Sequence, residues 1–179
     1  MSLTVSKPLL ALAAFGLLLG GCGLTQRVAD GTGAFAHSLF YKQVKVLHLD
    51  LSARTALNTD SRDMSALSVS TLLRVYQLRD RKIADKASYE DLLRDGDAVL
   101  AADLLEQHAV LIKPGKGAQL NVPLVAEAKY IAVVGLFRSP EAAPGNWRLV
   151  LAREELDPDR PRTLELGDNV LSLLPMQED

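Results

Sequence analysis

Two hydrophobic patterns divide this chain. Residues 8–19, Pro-Leu-Leu-Ala-Leu-Ala-Ala-Phe-Gly-Leu-Leu-Leu, are apolar throughout, and Gly20-Gly21 continue without charge. From residue 44 onward, short stretches alternate apolar and polar positions. In residues 44–52, Leu47, Leu49 and Leu51 share one face, while His48, Asp50 and Ser52 share the other. Strict alternation is the signature of a half-buried antiparallel strand. Residues 67–79 form a second strand. Val69, Thr71, Leu73 and Val75 lie on one face, and Leu72, Arg74, Tyr76 and Leu78 on the other. Apolar residues on both faces predict a central strand or one partly covered by another element. Further strands are expected over 107–113, 118–125, 130–138 and 147–153, the last with Trp147, Leu149 and Leu151 inward. One or two closing strands follow over 163–166 and 169–173. Turn residues separate them: Pro114-Gly115-Lys116-Gly117, Glu127-Ala128-Lys129, a loop holding Pro140, Pro144 and Gly145, and Asp157-Pro158-Asp159-Arg160-Pro161.

The period changes over about 83–106. Ser88 reads as an N-cap, with Glu90 and Asp91 in the first turn. Gly96 is a plausible stop, and a weaker helical turn runs through 98–105. A helix this short needs tertiary support, so Leu92, Leu93, Leu100 and Leu104 are expected to dock on a sheet. Residues 53–66 form a long connection rich in Asn, Asp, Ser and Thr. It exceeds the usual hairpin length of about 2–5 residues, and such loops are often functional. The expectation is a mainly β chain: a two-sheet β-sandwich over 44–175 with a small inserted helical segment.

The N-terminal run has a different meaning. One charged residue, Lys7, precedes it, and it ends at small residues, which together describe a secretory signal over 1–21. It is short of the roughly 20 apolar residues a membrane-spanning helix wants. Next comes Cys22, the only cysteine of the 179 residues. In an exported chain it cannot form an internal disulfide. Leu19-Gly20-Gly21-Cys22 resembles a bacterial lipobox, which implies acylation of Cys22. Several acyl chains anchor a protein stably where one binds only marginally. Gly23 follows, so no obvious inner-membrane retention signal is present. Residues 23–43 read as a tether, in which 34–41 is either a short helix or a strand lead-in.

Composition removes several function classes. The signal carries one of the 20 Lys and Arg, leaving 19 against 22 Asp and Glu. No dense basic block favours nucleic acid. His37, His48 and His108 are scattered, without metal-ligand spacing. His48 beside Asp50 is the least poor pair for catalysis, but no nucleophile stands at a fitting spacing. Asn58-x-Asp60-x-Arg62 lacks the Gly and the terminal Glu of a calcium loop, and Gly115-Lys116-Gly117 lacks the rest of a phosphate loop. No cofactor is expected beyond the covalent lipid on Cys22, and no small-molecule substrate. A periplasmic ligand-binding or carrier lipoprotein, with a cavity between its sheets, stays open as an alternative.

Taken in order, the segments carry a family likeness. They are Leu47-His48-Leu49-Asp50-Leu51-Ser52-Ala53 with Leu57-Asn58, then Leu73-Arg74-Val75-Tyr76-Gln77-Leu78, Tyr89-x-x-Leu92-Leu93 and Lys113-Pro114-Gly115. Tyr130-Ile131-Ala132-Val133-Val134, Phe137-Arg138 and Trp147-Arg148 complete them. With the lipobox, this order resembles the outer-membrane lipoprotein of the bacterial type VI secretion system, the TssJ (SciN) family. The resemblance implies a transthyretin-like sandwich and a non-catalytic protein lipid-anchored in the outer membrane, facing the periplasm. It also implies binding to the periplasmic C-terminal domain of TssM through the loop joining the first two strands. Leu57, Asn58, Thr59, Asp60, Ser61, Arg62, Asp63 and Met64 are the candidate contacts. Leu57 and Met64 would be apolar anchors within a polar rim.

Overall fold

A computed structural model describes residues 44–60, 67–140 and 145–176. The expected signal, Cys22, the tether and the 34–41 segment lie outside the described residues. The chain divides after Lys42 into two units, and the second carries every described residue.

That second unit is the expected two-sheet β-sandwich. Its strands are β1 (Val46–Leu57), β2 (Thr71–Leu78), β3 (Leu104–Ile112), β4 (Gly117–Pro123), β5 (Tyr130–Leu136), β6 (Arg148–Ala152), β7 (Arg162–Asp168) and β8 (Val170–Leu173). One sheet has the order β4-β1-β7-β8, the other β3-β2-β5-β6. β1 pairs antiparallel with β4 and parallel with β7. The inward residues follow from the alternation in the sequence. Leu47, Leu49 and Leu51 of β1, Leu73 and Val75 of β2, and Leu164 and Leu166 of β7 are at most 2% exposed. The polar face of β1 stays on the surface, where His48 Nδ1 lies 2.6 Å from Asn121 Oδ1.

The helical excursion comprises α1 (Lys82–Lys86) and α2 (Tyr89–Leu100). Ser88 caps α2 as its residue type predicts, its Oγ accepting from the Asp91 N–H at 3.1 Å. α2 lies on the outer face of the second sheet. Arg74 donates to the Leu92 carbonyl at 2.7 Å, and Gly96 sits against the Tyr76 ring. β2 therefore buries both faces, as its two apolar faces predicted. Arg148, on the same outer face, donates to the Ala84, Asp85 and Ala87 carbonyls and so closes the C-terminal end of α1. Tyr89 packs edge-on against Trp147, ring centroids 5.2 Å apart.

Several boundaries differ from the sequence expectation. Gly96 does not stop the helix. The break falls at Asp95, which leaves helical geometry, and its carboxylate accepts from the Ala98 N–H at 3.2 Å to start the next turn. The helical segment ends at Leu100, not near 106. Leu104 and Leu105 instead open β3, whose pairing with β2 outweighs their helical propensity. Leu93 is 45% exposed, so only Leu92 and Leu100 of the four expected residues dock as helical core. β1 runs on to Leu57 and β2 begins only at Thr71. The connection between them is thus 58–70, not 53–66.

At the end where the described chain enters, Arg153 gathers loose backbone. Its guanidinium donates to the carbonyls of Val44 at 2.6 Å, Val125 and Ala126 at 3.0 Å, and Ala128 at 2.9 Å. Gln77 is fully buried beside it. Its side chain donates to the Pro123 carbonyl and accepts from the Val125 N–H, both at 2.8 Å.

Candidate functional site

The β1–β2 connection leaves the sandwich at the opposite end. β1 and β7 both finish there, with Leu57 opposite Asp168. β2 starts there and β5 ends there, with Leu72 opposite Leu136. Asn58 forms the base of the loop. It adopts a left-handed backbone with φ +55°, a region that Asn tolerates better than most residues. Its Oδ1 accepts from the Arg138 N–H at 2.6 Å, and its Nδ2 donates to the Ser70 carbonyl at 3.4 Å. Its own N–H donates to the Asp168 carbonyl. One side chain therefore ties together the start of the loop, its end and the β5–β6 connection.

Asp168 is also left-handed, at φ +55°, in the β7–β8 turn. Its carboxylate accepts from the Thr59 hydroxyl, and Asn169 Nδ2 donates to the Thr59 carbonyl at 2.9 Å. The far arm of the loop is held by the Val69 N–H on the Leu57 carbonyl at 3.1 Å and by Ser68 Oγ on the Leu57 N–H at 3.3 Å. The base is a rigid collar built from short polar side chains.

This placement corrects part of the candidate contact set. Leu57 has no exposed surface and Asn58 only 3%. Leu57 is the last core residue of β1, and Asn58 spends its hydrogen bonds inside the collar. Neither can act as a contact hot spot, because neither is reachable. Thr59 and Asp60 lie half-buried at the rim. Ser61, Arg62, Asp63 and Met64 fall outside the described residues. Leu67, assigned from sequence to the second strand, is instead a loop residue with 63% of its surface exposed. The flanking Ser65, Ser68 and Ser70 were the sequence signal that the strand had not yet begun. On the outer face just below the loop, Leu72 stands between Leu111 and Leu136 across the strands, and Leu111 is 59% exposed.

Elsewhere the arrangement offers less chemistry. His48 and Asp50 face outward on the open sheet, and Asp50 borders a shallow cleft with Arg160, Pro161 and Thr163. Among the described residues, no group of three His, Cys, Asp or Glu is placed to hold a metal. The space between the sheets is occupied by Val75 and the inward leucines named above.

Comparison with known proteins fits this geometry. A family model described as type VI secretion lipoprotein, VasD, EvfM, TssJ, matches residues 45–169, more than half of the chain. A search of curated proteins returned no match. Among solved structures, a chain of a type VI membrane complex is 39% identical. It covers 74% of this chain and 100% of that one, with a TM-score of 0.70. A chain in a structure described as the T6SS protein TssM C-terminal domain from EAEC is 37% identical, with the same coverage and a TM-score of 0.66. The T6SS lipoprotein TssJ1 from Pseudomonas aeruginosa shares the fold at 23% identity, covering 75% of this chain and 98% of that one, with a TM-score of 0.62. The chain belongs to the type VI secretion lipoprotein family, TssJ (SciN).

Proposed function

We propose that this chain is an outer-membrane lipoprotein, acylated on Cys22 and facing the periplasm. It holds the periplasmic C-terminal domain of TssM through the β1–β2 loop. The observation that carries this reading is the likeness to the whole of a chain in a structure described as the TssM C-terminal domain. The collar supports it physically, since the described base residues are already held by hydrogen bonds and lose little freedom on binding. The role is one of assembly without catalysis. The leucine-filled space between the sheets favours this role over a carrier role.

The loop residues expected to matter are now those from Thr59 to Leu67. A deletion that included Leu57 and Asn58 would open the core. Replacing residues 59–67 with a Gly-Ser segment of equal length should leave the unfolding midpoint nearly unchanged and abolish detectable TssM binding in calorimetry. Leu67→Ala alone should weaken binding by about 1–2 kcal/mol, the scale of an interface anchor. Wild-type affinity in the replacement variant would overturn the loop assignment.

A further inference from the structure

We infer that β1 carries the tension between the membrane anchor and the partner, and that this placement shields the rest of the sandwich from it. The inference rests on the function proposed above. Val44 and Asn58 stand at the two ends of the same strand. The anchor pulls on the chain at Val44, and a partner on the loop pulls at Thr59 and Asp60. Both forces therefore act along one continuous backbone. β1 rises about 3.3 Å per residue, and a fully stretched chain reaches only about 3.3–3.6 Å. Outside the bulge described below, backbone that is already extended transmits tension with almost no lengthening. The sheet hydrogen bonds to β4 and β7 then carry little of it.

Both ends of the strand are fastened. At the entry, Arg153 and the Leu124 N–H hold the carbonyls of Val44 and Lys45, at 2.6 and 2.8 Å. At the exit, Asn58 is held in the collar described above. One place along β1 can give. Ala53 faces Leu166 and Leu57 faces Asp168, so four steps of β1 run beside two of β7. This bulge at Arg54, Thr55 and Ala56 is exposed and rests on the β3–β4 turn, where Gly115 N–H donates to the Arg54 carbonyl at 3.1 Å. Straightening it would release about 6–7 Å and then stop. A pull entering elsewhere, for example at Met176 beyond β8, would instead act across the pairing of β7 with β8 and of β1 with β7.

The test is tweezers on the full, unacylated chain, with Cys22 as one handle. The second handle is Asp60→Cys or Met176→Cys, and Thr59→Cys serves as a second version of the loop handle. A fluorescence-transfer pair at Lys86 and Ser172, on exposed sites of α1 and β8, reports folding off the line of pull. With the loop handles, once the bulge is straight, the unfolding rate should change by less than about threefold over tens of piconewtons. With the Met176 handle it should rise at least about 100-fold, since forced unfolding follows the unfolding rate. Loss of transfer at the same force in both geometries would overturn the inference. The measurement needs no partner, so a failure to bind TssM would leave its outcome unaffected.

Discussion

At the residue scale, Asn58 fastens the base of the candidate loop. Its residue type suited a contact role, but its side chain satisfies the Arg138 N–H and the Ser70 carbonyl inside the collar. Asn58→Ala takes the acceptor from the part-buried Arg138 N–H and places a Cβ-bearing residue without Asn's local hydrogen bonds at φ +55°. The expected loss is about 2–3 kcal/mol in urea unfolding. Asn58→Gly should recover the backbone part only. A loss below about 0.5 kcal/mol would show that the collar is not structural. Tyr89 makes a pH-dependent contribution. Burial against Trp147 pushes its phenol up to about 12, with Glu90 adding to the effect. The unfolded phenol titrates near 10. Below about pH 10 both states keep the proton and the contribution is complete. Between about 10 and 12 the unfolded chain loses its proton first, so stability falls as pH rises. Burial pushes Tyr76 up in the same direction. Tyr89→Phe should therefore make alkaline unfolding less steep without abolishing its pH dependence, as followed by Trp147 fluorescence.

At the element scale, α2 shows where local signals suffice and where packing overrides them. The Ser88 cap was legible because it needs only its own helix. Gly96 was not, because its role is set by the ring of Tyr76 across the interface. A Cβ there would collide with the Tyr76 hydroxyl. Gly96→Ala should destabilise by about 1–3 kcal/mol through overpacking, although helix propensity favours Ala by about 1 kcal/mol. Tyr76→Phe alone should cost little, since Arg74 is the group that reaches its hydroxyl and keeps its own bond to the Leu92 carbonyl. Adding it to Gly96→Ala should restore part of the loss. Strict additivity in this cycle would refute the contact. The ends of β1 and β2 were misplaced for a related reason. Residues 53–57 lose alternation because β1 bulges against β7, and a bulge is a property of the pair.

At the scale of the whole molecule, entry and exit lie at opposite ends of the sandwich. The chain comes in beside Arg153, and the candidate loop leaves beside Asn58. That polarity suits a domain hung from one membrane and engaged from the other side. Cys22→Ser should move the protein from the outer-membrane fraction to the soluble periplasmic fraction. It should also stop assembly in cells while leaving TssM affinity in solution unchanged. Continued fractionation with the outer membrane would refute the lipid anchor.

The sequence alone determined the sandwich, the inward leucines of β1, the double burial of β2, the cap of α2 and the family likeness. Each follows from periodicity, local hydrogen bonding or the order of motifs, none of which needs a distant neighbour. Only the tertiary structure decided that Leu57 and Asn58 belong to the core, that Leu67 is an exposed loop residue, and that one strand runs from the chain's entry at Val44 to the start of the loop. Those facts depend on which strand lies beside which, on a bulge, and on hydrogen bonds between residues as far apart as Asn58 and Arg138. Burial is set by such neighbours, and residue type alone does not carry it.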